Sequence, residues 1–124
     1  MNSFDIDGVI YINKEVIGVY PGPNDIIVTG RSFEEREATI KMLKSRGINN
    51  KVFFNPEVYE KKSRASSGVH KANVLNKLKD QGYNIIAHFE DDPIQIEQIK
   101  KKAPWIKVIH LDHEYTNKEN VRAE

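Results

Sequence analysis

Short apolar runs typical of buried β-strands alternate along this chain with segments of helical hydrophobic period, and this alternation constrains the fold most. The strand-like runs cover residues 1–6, 25–28, 51–54, 84–89 and 107–111. Strands separated by helices pair in parallel, and the helices cover both faces of the sheet. The sequence therefore predicts an α/β chain, a three-layer α/β/α sandwich around a five-stranded, mainly parallel sheet.

The segments between the strands carry helix signals, with two exceptions. Ser32 opens a capping-box pattern with Glu35, a second helix is predicted over residues 69–81, and Pro93 opens a third helix. A short apolar flap follows the first strand, and residues 55–68 lack a helical period and predict a long connection. Neither exception provides an inserted cap domain, so we expect a site that is open to solvent.

Length and composition bound the class of protein. At 124 residues the chain fits one domain, predicted over residues 1–115, with a polar tail over 116–124 that we expect to fray. Nineteen basic and eighteen acidic residues give a net charge of +1, which supplies no general attraction to a polyanion. The chain has no cysteine, which excludes disulfides and thiolate-bound zinc. With no leader and no long apolar run, we expect a cytoplasmic protein without a membrane partner.

Acidic and hydroxyl side chains stand at the carboxyl ends of three predicted strands. They are Asp5 and Asp7 after the first strand, Thr29 after the second, and the acidic run at 90–92 after the fourth. Parallel α/β sheets bind their ligands at this edge. Clustered carboxylates suit a hard cation, and magnesium fits better than zinc because no histidine pair has a suitable spacing.

Lys71 is the candidate for a positive charge at the same edge. It shares a helical face with Leu75 and Leu78, so we expect it to point inward, and the predicted helix puts it in the first turn, where an anion is favoured. Taken singly, Asp5 and Asp7 are a turn motif, Thr29 ends a strand and Lys71 is a solvated lysine. Their order and common edge favour chemistry over these ordinary explanations.

In this order the motifs resemble those of the haloacid dehalogenase superfamily of phosphohydrolases. Residues 4–9 resemble its first motif, residues 26–31 its second, Lys71 its third and residues 89–92 its fourth. The resemblance covers nearly the whole domain. It implies a Rossmann-like sheet with strand order 5-4-1-2-3 and no cap domain.

The same resemblance implies a role for each motif residue. Asp5 would attack phosphorus and form an aspartyl-phosphate, while Asp7 would protonate the leaving group and later activate water. Thr29 would hydrogen-bond the transferred phosphoryl group, and Lys71 would neutralise its oxygens and orient Asp5. Mg²⁺ would lie between Asp5, the carbonyl of Asp7 and an acid of the fourth motif.

The second and fourth motifs leave alternatives open. Gly30 and Arg31 complete the substrate-binding turn, and Arg31 is a candidate for a second phosphate or, equally, an exposed arginine. A resemblance to the phosphatase domains of phage polynucleotide kinases aligns Glu90 and Asp91 with their acidic pair. We favour Asp91 as the metal ligand, Glu90 as its support and Asp92 as a helix cap. In this chain Asp92 stands before Pro93, where the phage enzymes have a basic residue, which leaves the substrate preference open.

These features predict a Mg²⁺-dependent phosphatase acting on a phosphate monoester, with a nucleotide or polynucleotide 3′-phosphate as the favoured substrate class. A capless sugar-phosphate phosphatase and a non-catalytic binding module of the same fold are the alternatives. A phosphoacceptor signalling receiver is disfavoured because its lysine would end a late strand, whereas Lys71 stands in a helical pattern. A partner subunit acting as a lid would make the protein a homo-oligomer.

The remaining charged and histidine residues receive weaker interpretations. Basic residues of the long connection are interpreted as a solvated loop rather than an entrance for anions: Lys61, Lys62 and Arg64. A group near the last strand is interpreted as a loop rather than a set of metal ligands: His110, Asp112 and His113. His70 and His88 lie near the proposed site without a defined role.

Overall fold

The computed structural model describes residues 1–116, which form five strands and three α-helices. The strands are β1 (Asn2–Phe4), β2 (Ile26–Ser32), β3 (Val52–Asn55), β4 (Ala87–Glu90) and β5 (Lys107–His110). The helices are α1 (Arg36–Ser45), which follows a 3₁₀ turn at Phe33–Glu35, α2 (Arg64–Asp80) and α3 (Pro93–Lys102). All five predicted strands and all three predicted helices are present. The predicted tail covers residues 116–124, and all of it except Thr116 lies outside the described residues.

The five strands form one sheet in which every pairing is parallel. They lie in the order β3-β2-β1-β4-β5, so that a count from the β5 edge reads 5-4-1-2-3. The central strand β1 is hydrogen-bonded to β2 on one side and β4 on the other, with Ser3 opposite Ile26 and His88. This arrangement brings the carboxyl ends of β1, β2 and β4 next to one another.

Helices cover both faces of the sheet, as predicted. Neighbouring side chains of a strand point to opposite faces. Val28 accordingly packs with Leu75 of α2 and Ile99 of α3, whereas Ile27 packs with Leu43 of α1 on the other face. The described chain is therefore an α/β protein with an all-parallel, five-stranded sheet between two helical layers.

Helix α2 begins five residues earlier than the sequence predicted. Ser63 and Ser66 form a reciprocal cap, in which Ser63 Oγ accepts from the Ser66 amide at 3.1 Å and Ser66 Oγ accepts from the Ser63 amide at 2.8 Å. Serine in place of the usual glutamate hid this cap in the sequence. Lys71 consequently lies about two turns inside α2. The prediction that it occupies the first turn was wrong.

The flap after β1 lies over the sheet without forming a regular hairpin. Val9 and Ile10 are buried in the core on the α1 side, and a single antiparallel bridge joins Tyr11 to Ile17. Across residues 5–25 the structure contains neither a helix nor a paired strand of more than one residue. No helix within residues 1–116 has the length and hydrophobicity to cross a membrane.

Candidate active site

Buried carboxylates from two neighbouring strands meet at the carboxyl edge of the sheet. Asp5 directly follows β1, Glu90 ends β4 and Asp91 is the next residue. Each offers an oxygen that lies within 4.8 Å of the others, and all three residues are at most 2% exposed. We refer to these residues as the acidic triad.

Lys71 reaches the acidic triad from α2. Its Nζ lies 3.0 Å from Asp5 Oδ1 and 2.7 Å from Glu90 Oε1, and the residue is 1% exposed. The prediction that Lys71 points inward is confirmed, because the face it shares with Leu75 and Leu78 packs on the sheet. One lysine does not neutralise three carboxylates. A set of hard oxygen donors with excess negative charge could hold a hard divalent cation.

Glu90 is fixed by a buried line of polar side chains. His88 Nε2 lies 3.2 Å from Glu90 Oε1, and His88 Nδ1 lies 2.7 Å from Ser3 Oγ. With its proton on Nε2, the imidazole donates to Glu90 and accepts from the Ser3 hydroxyl. The line runs from Ser3 through His88 and Glu90 to Lys71, so Glu90 holds the lysine. Residues at i and i+2 of a strand share a face, so the position of His88 two residues before Glu90 is the sequence signal that would have placed it beside the site.

Asp91 packs against the turn that follows Asp5. Gly8 has a φ of +88°, and a Cβ at this position would lie 1.9 Å from Asp91 Oδ2, so only glycine fits. His113 Nδ1 accepts from the Tyr115 amide at 3.1 Å, which puts the proton on Nε2 and lets Nε2 donate to the Gly8 carbonyl at 2.7 Å. His113 Nε2 is also 3.8 Å from Asp91 Oδ2. His113 therefore holds this turn closed.

Asp7 is bound by Arg31 through both carboxylate oxygens. Arg31 Nε donates to Asp7 Oδ2 at 2.9 Å and Nη2 donates to Oδ1 at 2.7 Å, while Nη1 donates to Thr39 Oγ1 at 3.1 Å. Burial acts to lower the pKa of Arg31, but the hydrogen bond and charge of Asp7, together with the charges of Glu35 and Asp5, outweigh it and raise that pKa. Arg31, for which a second phosphate or an exposed position were the alternatives, is thus bound to Asp7 in the structure.

Thr29 and Gly30 are buried inside β2, which continues to Ser32 and does not end at Val28 as the sequence predicted; its pairing with β3 shifts register between Val28 and Ser32. Thr29 Oγ1 accepts from the Arg31 amide at 3.1 Å. The Gly30 carbonyl accepts from Lys62 Nζ at 3.0 Å, and Lys62 also contacts Glu35 Oε2 at 2.7 Å. Lys62 is fully buried. The interpretation of Lys62 as part of a solvated loop was wrong, because its side chain points into the protein and donates to the Gly30 carbonyl.

Asp92 caps α3, which confirms the prediction made for it. Its Oδ1 accepts from the Ile94 amide at 3.0 Å. Arg64 grips the same carboxylate, with Nε 2.9 Å from Oδ2 and Nη2 2.6 Å from Oδ1. Asp92 thus faces α2 and α3 and is not a member of the acidic triad. Arg64, like Lys62, has a structural partner that the sequence did not indicate.

The histidines after β4 contact backbone rather than forming a metal site of their own. His110 Nε2 lies 3.1 Å from the Asp91 carbonyl, and His113 contacts Gly8. Among residues 1–116 the acidic triad is the only group with the spacing of a metal site. Asp112 and His113 lie in the loop after β5, whereas His110 is the last residue of β5, and the contact of His113 with Gly8 was not predicted.

A cavity of about 690 Å³ opens beside Asp7 and Gly8. Three tyrosines from three irregular segments line it: Tyr11, Tyr59 and Tyr115. Two acidic residues, Glu35 and Glu114, also line the cavity. Arg31, whose guanidinium binds Asp7, lines it as well. Sequence reasoning missed these tyrosines because no period or motif links residues of separate loops.

Comparison with known proteins returns no family model that matches the chain and no curated protein that matches it. The function therefore has to be inferred from the geometry of the site. Asp5 is a buried carboxylate beside a buried lysine, and it belongs to a set of oxygen donors suited to a divalent cation. Such a set can support nucleophilic attack on phosphorus.

Proposed function

We propose that this protein is a Mg²⁺-dependent phosphomonoesterase of the haloacid dehalogenase type, which works through an aspartyl-phosphate at Asp5. The observation that carries the proposal is the contact of Asp5 with Lys71 at 3.0 Å inside the acidic triad. Phosphoryl transfer depends mainly on positioning and on neutralising charge, and this group of residues supplies both. The strand order counted from the β5 edge also agrees with the order expected for this type.

Asp5 is oriented for attack by two donors on one oxygen. Oδ1 accepts from the Ile6 amide at 2.8 Å and lies 3.0 Å from Lys71 Nζ. These contacts fix the plane of the carboxylate relative to the sheet edge, where an incoming phosphate would lie. Lys71 would also neutralise the phosphoryl oxygens, and Thr29 would donate a hydrogen bond to one of them. Mg²⁺, held by Asp5, Asp91 and the Asp7 carbonyl, would offset the negative charge that substrate and carboxylates share.

Asp7 would transfer the proton in both halves of the reaction. In the structure its two oxygens accept hydrogen bonds from Arg31, an arrangement that holds it as a carboxylate. This is the form needed to activate water against the aspartyl-phosphate. To protonate a leaving group, Asp7 must first take up a proton, so at least one contact with Arg31 must open when substrate enters.

The first test replaces the nucleophile without changing its size. Asp5→Asn is expected to abolish Mg²⁺-dependent hydrolysis of a small aryl phosphate, and Asp7→Asn is expected to reduce it by about 10²- to 10⁴-fold. Circular dichroism checks that both variants are folded, and Asp80→Asn, at the exposed end of α2, is the matched control. Full activity in Asp5→Asn overturns the mechanism.

The substrate class of the proposal is a nucleotide or polynucleotide 3′-phosphate, on the resemblance of residues 89–92 to the phage enzymes. The alternatives are distinguished by turnover of a panel of 3′-phosphorylated oligonucleotides, mononucleotides and sugar phosphates. Activity confined to sugar phosphates would replace the substrate class but keep the chemistry. Absence of both Mg²⁺ binding and turnover would favour a non-catalytic binding module.

A further inference from the structure

The cavity lined by Asp7 is the space into which a leaving group protonated by Asp7 would extend. A general acid must come within hydrogen-bond reach of the oxygen that it protonates. Asp7 and Gly8 line the cavity, and its volume of about 690 Å³ is in the range of sites for small molecules. If Asp7 acts on the leaving group, the rest of that group extends into this space.

Aromatic rings are the main apolar feature of the cavity. Tyr11 belongs to the flap, Tyr59 to the connection before α2 and Tyr115 to the segment after β5. Tyr59 and Tyr115 are 38% and 44% exposed, so the packing of the core does not account for these two rings. Three tyrosines from separate segments that meet at one cavity form a surface on which a planar aromatic group can stack.

Cations stabilise two of these rings. The Arg46 guanidinium lies 4.8 Å from the centre of the Tyr11 ring, and Lys62 Nζ lies 5.3 Å from that of Tyr59. Both are within the range of a cation–π interaction. Lys62 is itself fixed by the Gly30 carbonyl and by Glu35. A ring held in this way loses little conformational freedom when a ligand stacks on it.

The charge of the lining disfavours a leaving group with additional phosphates. Asp7, Glu35 and Glu114 contribute three carboxylates, of which Asp7 is paired with Arg31 and Glu35 with Lys62, so the lining keeps a net negative charge. The guanidinium of Arg31 is already bound to both oxygens of Asp7. A second phosphate in this cavity would meet the remaining negative charge, because Arg31 and Lys62 are already paired with carboxylates.

We infer that this cavity is the leaving-group subsite, and that it takes the uncharged, aromatic nucleoside of a mononucleotide rather than a sugar alone or a polynucleotide. The inference rests on the proposed function and narrows its substrate class. Stacking on tyrosine provides the affinity, and the acidic lining excludes leaving groups that carry further phosphates. The aromatic base thus distinguishes a substrate from a sugar phosphate with the same reacting group.

The kinetic experiment compares three esters with the same scissile bond in the presence of Mg²⁺. They are a nucleoside 3′-monophosphate, the corresponding base-free ribose phosphate and the nucleoside 3′,5′-bisphosphate. We expect kcat/KM for the mononucleotide to exceed that for the ribose phosphate by at least about 10-fold, the effect of one stacked base. The bisphosphate should be the poorer of the two nucleotides, and the difference should grow at low salt.

Variants link this preference to the tyrosines. Tyr59→Leu and Tyr115→Leu are expected to bring the ratio of kcat/KM between mononucleotide and ribose phosphate towards one. Tyr83→Leu, an equally exposed tyrosine outside the cavity, should keep the wild-type ratio. A wild-type ratio near one, or the same ratio in all three variants, overturns the inference.

Binding of the nucleoside alone separates this inference from the proposed function. Titration of adenosine, followed by NMR, is expected to shift tyrosine resonances saturably in the wild type and less in Tyr59→Leu. If no phosphate ester is hydrolysed, the proposed function fails and this binding result alone decides on the subsite. Absence of saturable binding in a protein that is also inactive rejects both.

Discussion

Replacement of Lys71 by methionine tests whether the acidic triad is the charged centre of the site. Methionine has a similar length and a similar helix propensity, so the change removes the charge with little effect on packing. Lys71 is 1% exposed and contacts Asp5 at 3.0 Å and Glu90 at 2.7 Å. Removing one partner of such a buried group destabilises a protein by about 3–5 kcal/mol, because the remaining charges stay desolvated without compensation.

The expected loss is a large part of the stability of a domain of this size, which is typically about 5–15 kcal/mol. Urea unfolding followed by circular dichroism in the presence of EDTA measures it. Mg²⁺ should then stabilise Lys71→Met more than it stabilises the wild type, because the cation restores positive charge beside the triad. A ligand at 100 times its Kd stabilises by about 2.7 kcal/mol, so this difference is measurable.

Lys77→Met is the matched control, since Lys77 lies on the exposed face of the same helix. It should change the unfolding free energy by no more than about 0.5 kcal/mol. Two results refute the reasoning. One is a Lys71→Met protein within 1 kcal/mol of the wild type in EDTA, where roughly 3–5 is expected. The other is a smaller gain from Mg²⁺ in the variant than in the wild type.

Two further predictions concern the surroundings of the site. Gly8→Ala should weaken Mg²⁺ binding and destabilise the protein more than Gly82→Ala does. Both glycines have positive φ, but only a Cβ at Gly8 would collide with Asp91. Calorimetry and urea unfolding test this prediction, and equal effects of the two substitutions would contradict it. Burial and the charge of Lys71 lower the pKa of His70 to about 4. An unfolded histidine titrates near 6.5, so the unfolded chain binds more protons between these values, and stability should fall by up to about 3 kcal/mol as pH drops from about 6.5 to 4. His70→Gln should flatten this dependence, and an unchanged slope would show that another group causes it.

The sequence predicted the parts of this molecule that follow from period and local pattern. The alternation of strands and helices led to a parallel sheet, and the helical face of Leu75 and Leu78 led to an inward Lys71, both as found. Asp92 was predicted to cap α3 because the residue before a helix-opening proline commonly does so. Each of these features depends on residues close in sequence or on a regular spacing.

Contacts between the irregular segments and the end of β2 were not predictable in this way. The pairing of Asp7 with Arg31 and the burial of Lys62 depend on how loops fold over the sheet edge, for which no spacing rule exists. The Ser63 cap was missed because serine replaces the more common acid, which moved the predicted start of α2 towards its middle. The errors are therefore concentrated in the segments that surround the proposed reacting groups.

The central place of β1 in the sheet determines when the site can form during synthesis. Its partner β4 is about 85 residues further along the chain, as the contact of Ser3 with His88 shows. At about 5–20 residues per second, the ribosome makes that stretch in about 4–17 seconds. During this time Asp5 has neither Glu90 nor Asp91 beside it, and Phe4 lacks Phe89, the ring on which it stacks. A nascent chain that lacks β4 therefore contains Asp5 but not the rest of the acidic triad, so the candidate site cannot form before β4 joins the sheet.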